Sequence, residues 1–247
     1  MCHVLNEDPE LADAIPEVRR RRAIDECTAP ELYIAPGSAR RRGLPLMPGG
    51  IGLLVLEGLL IRHVGIDGRF GAELLGEGDL LRPWQDDAES ATLPLKTGWS
   101  VLEPTRLAVL DEQFVSLMSS FPELAPAFVG RAMQRSRNLA VNMAIVHQAR
   151  VDVRLQMLLW HLAGRWGRVR SDGTVLPLRL THAVLADLVA ARRPTVTSAL
   201  SDFSRRGLVR SSGDRWVLFG EAPGELLDVD AITTPETAPA PRAVSGS

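Results

Sequence analysis

Residues 181–203, THAVLADLVAARRPTVTSALSDF, decide how the rest of the chain is interpreted. Their pattern predicts two short helices joined by a tight turn at residues 190–192. Thr181 can cap the first helix, and Pro194 suits the first position of the second, where a missing N–H costs nothing. Apolar residues recur on one side of each helix: Val184, Leu185, Leu188 and Val189 in the first, and Val196, Ala199, Leu200 and Phe203 in the second.

The polar side of the second helix has the chemistry of a DNA-binding surface. Arginine, threonine and serine side chains there can donate hydrogen bonds to phosphates or base edges, and a basic helix face fits a major groove. A helical hairpin with a polar outer face would show the same periodicity without binding DNA. The predicted DNA-binding residues are Thr181, His182, Arg192, Arg193, Thr195, Thr197 and Ser198.

The segment that follows the helices makes the interpretation more specific. Residues 207–210, GLVR, and residues 215–219, RWVLF, are apolar runs on either side of the polar turn 211–214, SSGD. Two such runs around a short turn predict a β-hairpin. Helix, turn, helix and β-hairpin in this order predict a winged helix.

Charge is distributed unevenly along the 247 residues. The net charge of −2 by itself points to no class of partner, but residues 150–220 contain twelve arginines and five aspartates, a balance of +7. The remainder of the chain is acidic. This asymmetry is typical of a nucleic-acid-binding domain joined to a regulatory domain.

Cysteine content and hydropathy exclude several other classes of protein. Cys2 and Cys27 are too few for a disulfide framework and match no zinc or iron–sulfur spacing, so we predict no metal site. No segment approaches the roughly 20 apolar residues that span a bilayer. The sequence therefore predicts a soluble, cytoplasmic protein without a membrane partner.

Changes in composition divide the chain into five segments. Short apolar runs separated by glycine and proline predict strands, a glycine-poor run predicts a helix, and a Pro-, Ala- and Thr-rich run predicts disorder. The predicted segments are a flexible N-terminal arm (1–29), a small antiparallel β-barrel or sandwich (30–120), a dimerisation helix (121–147), a winged helix-turn-helix domain (148–221) and a disordered tail (222–247).

The glycine-poor helix carries the spacing of a two-stranded coiled coil. Seven residues alternate intervals of four and three, with one polar member, Ser136. A second interpretation is a helix packed on its own β-domain. A two-fold symmetric dimer gains by binding two half-sites, which favours dimerisation. The seam residues are Ala125, Val129, Ala132, Ser136, Leu139, Met143 and Val146.

A β-barrel, a long helix and a winged helix in this order resemble the Crp/Fnr family of bacterial transcription regulators. The resemblance is strongest at residues 180–209, LTHAVLADLVAARRPTVTSALSDFSRRGLV. It implies an α+β fold with a cyclic-nucleotide-binding-like β-barrel and a winged helix-turn-helix. It also implies a homodimer that binds palindromic DNA, RNA polymerase as a further partner, and a guanine contact for Arg193.

The chain departs from the family pattern in the DNA-binding segment. Pro194 replaces a residue that is often a base-reading glutamate, and Ser198 replaces a base-reading arginine, so we expect a different operator. Ala190 occupies the position of the turn glycine. Alanine is acceptable there provided that the residue stays out of the left-handed backbone region.

The β-domain departs further. The segment that should hold a ribose carboxylate contact is Leu81-Arg82-Pro83, and the position of the phosphate-binding arginine falls near Leu95-Lys96. We therefore predict no cyclic AMP, no cofactor and an unidentified effector. The chain also lacks the clustered cysteines of the oxygen-sensing branch, and we interpret His63 as a structural histidine.

The leading hypothesis is a sequence-specific DNA-binding transcription regulator. The alternative is a ligand-sensing protein whose winged helix contacts another protein, since fold does not determine function. An enzyme is the weakest hypothesis. The glycines of residues 71–78 precede no phosphate-binding helix, and no nucleophile and base are arranged for catalysis.

Overall fold

The computed structural model describes residues 1–37, 49–66, 69–83 and 96–222. Apart from Ala222, the predicted tail at residues 222–247 lies outside the described residues. No described helix is both long and apolar enough to cross a membrane. The mixed helix and strand content confirms the predicted α+β class.

The N-terminal segment is ordered, so the predicted flexible arm at residues 1–29 is wrong. Its elements are β1 (Cys2–His3), α1 (Val4–Glu7), α2 (Pro9–Asp13), α3 (Glu17–Glu26) and β2 (Thr28–Ala29). Leu5, Leu11 and Ile15 are almost completely buried, in one core with Phe114 and Phe121. Helices this short are unstable alone, and tertiary packing, which the sequence pattern does not reveal, orders them.

Polar contacts also hold this segment in place. Asp8 caps α2 by accepting a hydrogen bond from the Leu11 N–H at 3.2 Å, and it pairs with Arg131 at 2.8 Å. Burial raises the pKa of Asp8 although Arg131 opposes that rise. In α3, Arg19 pairs with Glu123, which precedes the long helix that begins at Leu124.

The β-domain is built on two long, bent strands. The strands are β3 (Glu31–Ile34), β4 (Gly52–Ile66), β5 (Arg69–Gly76), β6 (Leu80–Leu81) and β7 (Lys96–Leu110). They form one antiparallel sheet in the order β3-β7-β4-β5, and β6 pairs with the first part of β4. Within the described ranges the sheet does not close into a barrel. The predicted small antiparallel β-domain is nevertheless present.

Strand β4 bends at Gly58, where its register with β7 shifts. Gly58 has φ +103°, and a Cβ atom there would lie 2.4 Å from the carbonyl oxygen of Pro104. Only glycine permits this close approach of two backbones. The bend lets the two halves of β4 pair with different strands, β6 and β5.

Three helices connect the two domains. They are α4 (Glu112–Met118), α5 (Leu124–Val146) and α6 (Val151–Trp166). Asp111 caps α4 by accepting from the Phe114 N–H at 3.0 Å. The long helix predicted at residues 121–147 is present as α5, and α6 begins at Val151 after a break.

The C-terminal domain has the predicted order of elements. They are β8 (Arg168–Arg170), β9 (Gly173–Leu176), α7 (His182–Leu188), α8 (Arg193–Arg205), β10 (Val209–Ser212) and β11 (Arg215–Leu218). The strands form a sheet in the order β10-β11-β9-β8. Helices α6, α7 and α8 pack over it around Leu159, Leu185 and Phe203.

The two domains share a continuous core. Leu59, Ile61 and Leu74 of the β-domain pack in the same cluster as the buried side of α6 and α7. Asp79 and Arg165 form an ion pair at 2.8 Å across this junction. Burial raises the pKa of Asp79, against the opposing effect of Arg165. The helix-turn-helix is therefore docked on the sheet.

Candidate nucleic-acid interface

Helix α7 begins as the sequence predicts. Thr181 adopts an extended backbone, and its Oγ1 accepts a hydrogen bond from the Val184 N–H at 3.2 Å. This satisfies one of the free N–H groups of the first turn. Leu185 and Leu188 are buried in the core, and Thr181 is exposed.

The turn between the helices is a Schellman motif with alanine at its left-handed position. The Ala191 N–H donates to the Ala186 carbonyl at 2.9 Å, and the Ala190 N–H donates to the Asp187 carbonyl at 3.2 Å. Ala190 has φ +50°, so the condition under which alanine would be free of strain at this position is not met. The motif requires this conformation, and it occurs here without the usual glycine.

The end of α8 provides the matching motif with glycine. The Leu208 N–H donates to the Phe203 carbonyl at 2.9 Å, and Gly207 has φ +67°. A Cβ atom on Gly207 would contact nothing within 4 Å. The two turns therefore differ in the backbone strain of one residue rather than in packing.

We expect Ala190→Gly to raise the free energy of unfolding by about 0.5–1 kcal/mol. A left-handed alanine costs about 1–2 kcal/mol, part of which glycine loses again through the entropy of the unfolded chain. Gly207→Ala should lower the free energy of unfolding by a similar amount. Urea titrations of both variants would measure this, and a stabilising Gly207→Ala exchange would contradict it.

Helix α8 presents a buried side and an exposed side. Val196, Leu200 and Phe203 are buried in the domain core. Arg192 is the N-cap residue of α8, and Pro194 lies at its second position instead of the first as predicted. The second N–H of a helix also lacks an intrahelical partner, so proline is tolerated there too.

Five of the seven predicted residues are exposed, four of them at α8. Arg192, Arg193, Thr195 and Ser198 are exposed, as is Thr181 at the start of α7. Within the described part of the chain, the side chains of Arg192 and Arg193 form no hydrogen bond or ion pair, so both guanidinium groups are available to a ligand.

The serine hydroxyls of α8 are engaged by the helix itself. Ser198 Oγ donates to the Pro194 carbonyl at 3.1 Å, and Ser201 Oγ donates to the Thr197 carbonyl at 2.9 Å. Their protons are therefore occupied in this structure. They offer acceptor lone pairs to a partner, instead of the donors that the sequence pattern suggests.

The other two predicted residues contact each other. His182 Nδ1 lies 3.0 Å from Thr197 Oγ1. The His182 ring also contacts the Trp216 ring in a tilted arrangement, with 6.1 Å between the ring centres. His182 and Thr197 are both half-buried. They connect the start of α7 to α8 and to the wing, the hairpin of β10 and β11. Sequence spacing does not reveal this link, because fifteen positions separate His182 from Thr197.

Several exposed arginines near α8 were not among the predicted residues. Arg205 and Arg206 end the helix and pair with Asp202, and hydrogen bonding to Arg205 lowers the pKa of that carboxyl. Arg210 and Arg215 lie on the wing strands. Arg210 and Arg215 flank the predicted hairpin turn, and this position in the sequence could have identified them as candidate DNA-binding residues.

Comparison with known proteins agrees with this geometry. Residues 153–219 match the family model described as a Crp-like helix-turn-helix domain. The chain is 32% identical over 121 residues to a CRP-like cAMP-activated global transcriptional regulator of Mycobacterium tuberculosis, covering 49% of this chain and 54% of that protein. The chain thus spans about half the length of the curated relatives it matches.

Solved structures extend the similarity in fold to most of the chain. A cyclic nucleotide-binding domain-containing protein from Listeria monocytogenes has a TM-score of 0.61 at 13% identity, covering 85% of this chain and 96% of its own. FixK2 from Bradyrhizobium japonicum has a TM-score of 0.57 at 16% identity, covering 78% and 93%. At these identities the likeness concerns the fold alone.

Proposed function

We propose that this chain is a sequence-specific DNA-binding transcription regulator of the Crp/Fnr type, as its sequence resemblance predicted. One observation carries the proposal. Two unpaired arginines, Arg192 and Arg193, stand at the exposed start of α8, whose opposite side is buried in the winged-helix core. A helix so mounted can enter a major groove with its N-terminal residues against the bases.

The exposed residues divide into two roles. Arg193 contacts a guanine, since arginine pairs with guanine by two hydrogen bonds, and Thr195 and Ser198 lie on the same side for neighbouring bases or phosphates. Arg192 and Thr181 contact phosphates and position the helix. His182 and Thr197 hold α7 and α8 in a fixed relative orientation. Thr197 is only half-buried, so its hydroxyl oxygen can also accept a hydrogen bond from DNA.

The protein acts as a homodimer through α5. One side of this helix packs on the β-domain through Leu124, Phe128 and Ile145. Much of the predicted seam is exposed, with Val129 58% and Met143 62% exposed, whereas Leu139 and Val146 are half-buried beside residues of the β-domain. Packing on the β-domain accounts for the buried residues of α5, and the proposal assigns its exposed residues to the dimer. Pairing of two seams would place two α8 helices for half-sites about 34 Å apart.

The proposal also covers the protein's cellular location, its protein partner and its effector. A transcription regulator of this type acts on DNA in the cytoplasm together with RNA polymerase, and it needs no catalytic activity. The effector is not a cyclic nucleotide held in the usual way, because Leu81-Arg82-Pro83 offers no carboxylate and Arg82 donates to the Gly50 carbonyl at 3.3 Å.

Salt dependence tests whether the winged helix binds DNA. Affinity for duplex DNA should fall steeply with added salt, because arginine–phosphate contacts release counterions. Arg192→Ala should reduce the slope of log affinity against log salt by about 1, equally on all sequences. Fluorescence anisotropy with a random duplex would measure it, with Arg137→Ala as control, since Arg137 is exposed on α5 and lies outside the winged-helix domain.

The alternative function makes the opposite prediction. A winged helix that contacts another protein would bind duplex DNA weakly, with a slope unaffected by Arg192→Ala. That result would exclude the proposal.

A further inference from the structure

One arginine of α6 reaches the turn of the helix-turn-helix. Arg154 lies in the first turn of α6 and is half-buried. Its Nη1 donates to the Val189 carbonyl at 3.2 Å and to the Ala190 carbonyl at 3.4 Å. Its Nε donates to the Gln148 carbonyl at 2.6 Å. Because Gln148 lies in the break between α5 and α6, one side chain connects that break to the turn.

The two carbonyls at the turn lie at the end of α7, where they need a donor from elsewhere. The last carbonyls of a helix have no partner within the helix, and the helix dipole favours a positive charge beside them. Val189 is completely buried, so the Arg154 guanidinium group replaces the water that an exposed helix end would bind. Removal of Arg154 would leave a buried acceptor without this donor, which is unfavourable.

The turn that Arg154 contacts is also the strained one. Ala190 has φ +50°, a left-handed conformation that alanine adopts only when the surrounding contacts compensate for it. In the matching turn at the end of α8 the same place is taken by Gly207, which adopts this conformation without strain. Arg192 and Arg193 follow Ala190 closely, so the backbone of the turn determines where both guanidinium groups are presented.

We propose that Arg154 is a positioning residue for DNA recognition, which keeps the turn in the conformation that presents Arg193 to a base. It acts through the backbone of the turn instead of through a contact with DNA. Without Arg154 only a fraction of the molecules would have the competent turn, and the apparent affinity for the operator would fall in proportion. This role rests on the proposed function, whereas the effect of Arg154 on the turn itself does not.

Amide hydrogen exchange without DNA tests the effect on the turn. The reporter is the Ala191 N–H, which donates to the Ala186 carbonyl at 2.9 Å. The internal control is the Leu208 N–H of the matching turn after α8. Arg154→Met removes the donors and should raise the exchange rate of Ala191 about fivefold or more, while that of Leu208 stays unchanged. No rise at Ala191, or an equal rise at both amides, would overturn the proposal.

DNA binding tests the consequence for recognition. On an operator selected from a randomised duplex library, Arg154→Met should bind about five- to tenfold more weakly than wild type. Its affinity for a random duplex, and the salt dependence of that affinity, should stay unchanged. If Arg154 contacted a phosphate directly, the salt slope would fall by about 1 on both duplexes, and the positioning role would be wrong.

Arg150→Met is the matched control for the loss of a positive charge. Arg150 is exposed at the N-cap of the same helix, and it donates to Asp152 at 3.1 Å. This contact stays at the start of α6 and does not reach α7. The control variant should therefore keep the wild-type preference for the operator over the random duplex. The same preference in Arg154→Met would contradict the proposal.

A second substitution separates positioning from a general structural role. Glycine adopts the left-handed conformation without strain, so Ala190→Gly added to Arg154→Met should recover most of the lost operator affinity. Failure to recover any of it would show that Arg154 does not act through the turn. Arg154→Lys should lie between wild type and Arg154→Met, because one ammonium group cannot replace Nε and Nη1 together. It replaces Arg154→Met in all these measurements if that variant folds poorly.

The two proposals can fail separately. If the wild-type chain binds no DNA while Ala191 exchange responds to Arg154→Met, the proposed function is wrong and the effect of Arg154 on the turn remains. If the wild-type chain prefers its operator and Arg154→Met keeps that preference, the positioning role is wrong and the proposed function remains.

Discussion

Arg193→Ala is expected to weaken binding to the operator by about 1–3 kcal/mol while leaving affinity for random DNA nearly unchanged. The guanidinium group has no partner in the described part of the chain, so its removal affects the ligand and not the fold. Its loss removes the two hydrogen bonds that distinguish guanine from other bases. The variant should therefore also tolerate substitutions at one base pair of each half-site.

The measurement begins with selection of operator sequences from a randomised duplex library. Affinities of wild type and variant for the selected operator and for a scrambled duplex then separate specific from non-specific contacts. Arg192→Ala is the matched control, because the neighbouring arginine should lose affinity equally on both duplexes. An equal loss on both duplexes for Arg193→Ala would contradict the assignment of Arg193 to a base.

Ala132→Glu is expected to dissociate the dimer and to lower operator affinity by about 100-fold or more. Ala132 is exposed in the middle of the α5 seam, so a glutamate there leaves the single chain intact but places two carboxylates against each other in the dimer. A monomer engages one half-site and loses the effective concentration that links two binding events.

Analytical ultracentrifugation would measure the dissociation, and anisotropy would measure the operator affinity. Ala144→Glu is the control, because it makes the same exchange at an exposed position of α5 outside the seam. It should stay dimeric and bind DNA normally. A dimeric Ala132→Glu variant would show that the seam is not the interface.

Sequence reasoning succeeded where local signals and the core pattern agree. The threonine cap of α7, the buried side of α8 and the hairpin of the wing were predicted from spacing alone, and each is present. These elements carry their information in residues three or four positions apart, or directly opposite each other across a short turn. The exposed position of Arg193 follows from the same periodicity.

The failures lie where the reason for a conformation is distant in sequence. Short polar helices at residues 4–26 looked like a loose arm, because the core that orders them comes from Phe114, Phe121 and their neighbours. The interaction between His182 and Thr197 was likewise not foreseen. Both depend on the packing of elements that no local pattern relates.

By itself, the sequence determined the order of elements, the fold class and the helix face that carries the arginines, because periodicity and capping are local properties of a chain. Only the tertiary structure decided that Ala190 adopts a left-handed backbone, that α5 uses one side for the β-domain and exposes the other, and that Arg154 reaches from α6 to the turn before α8. These features arise from the closure of one element on another, and the free energy of that packing outweighs local preference.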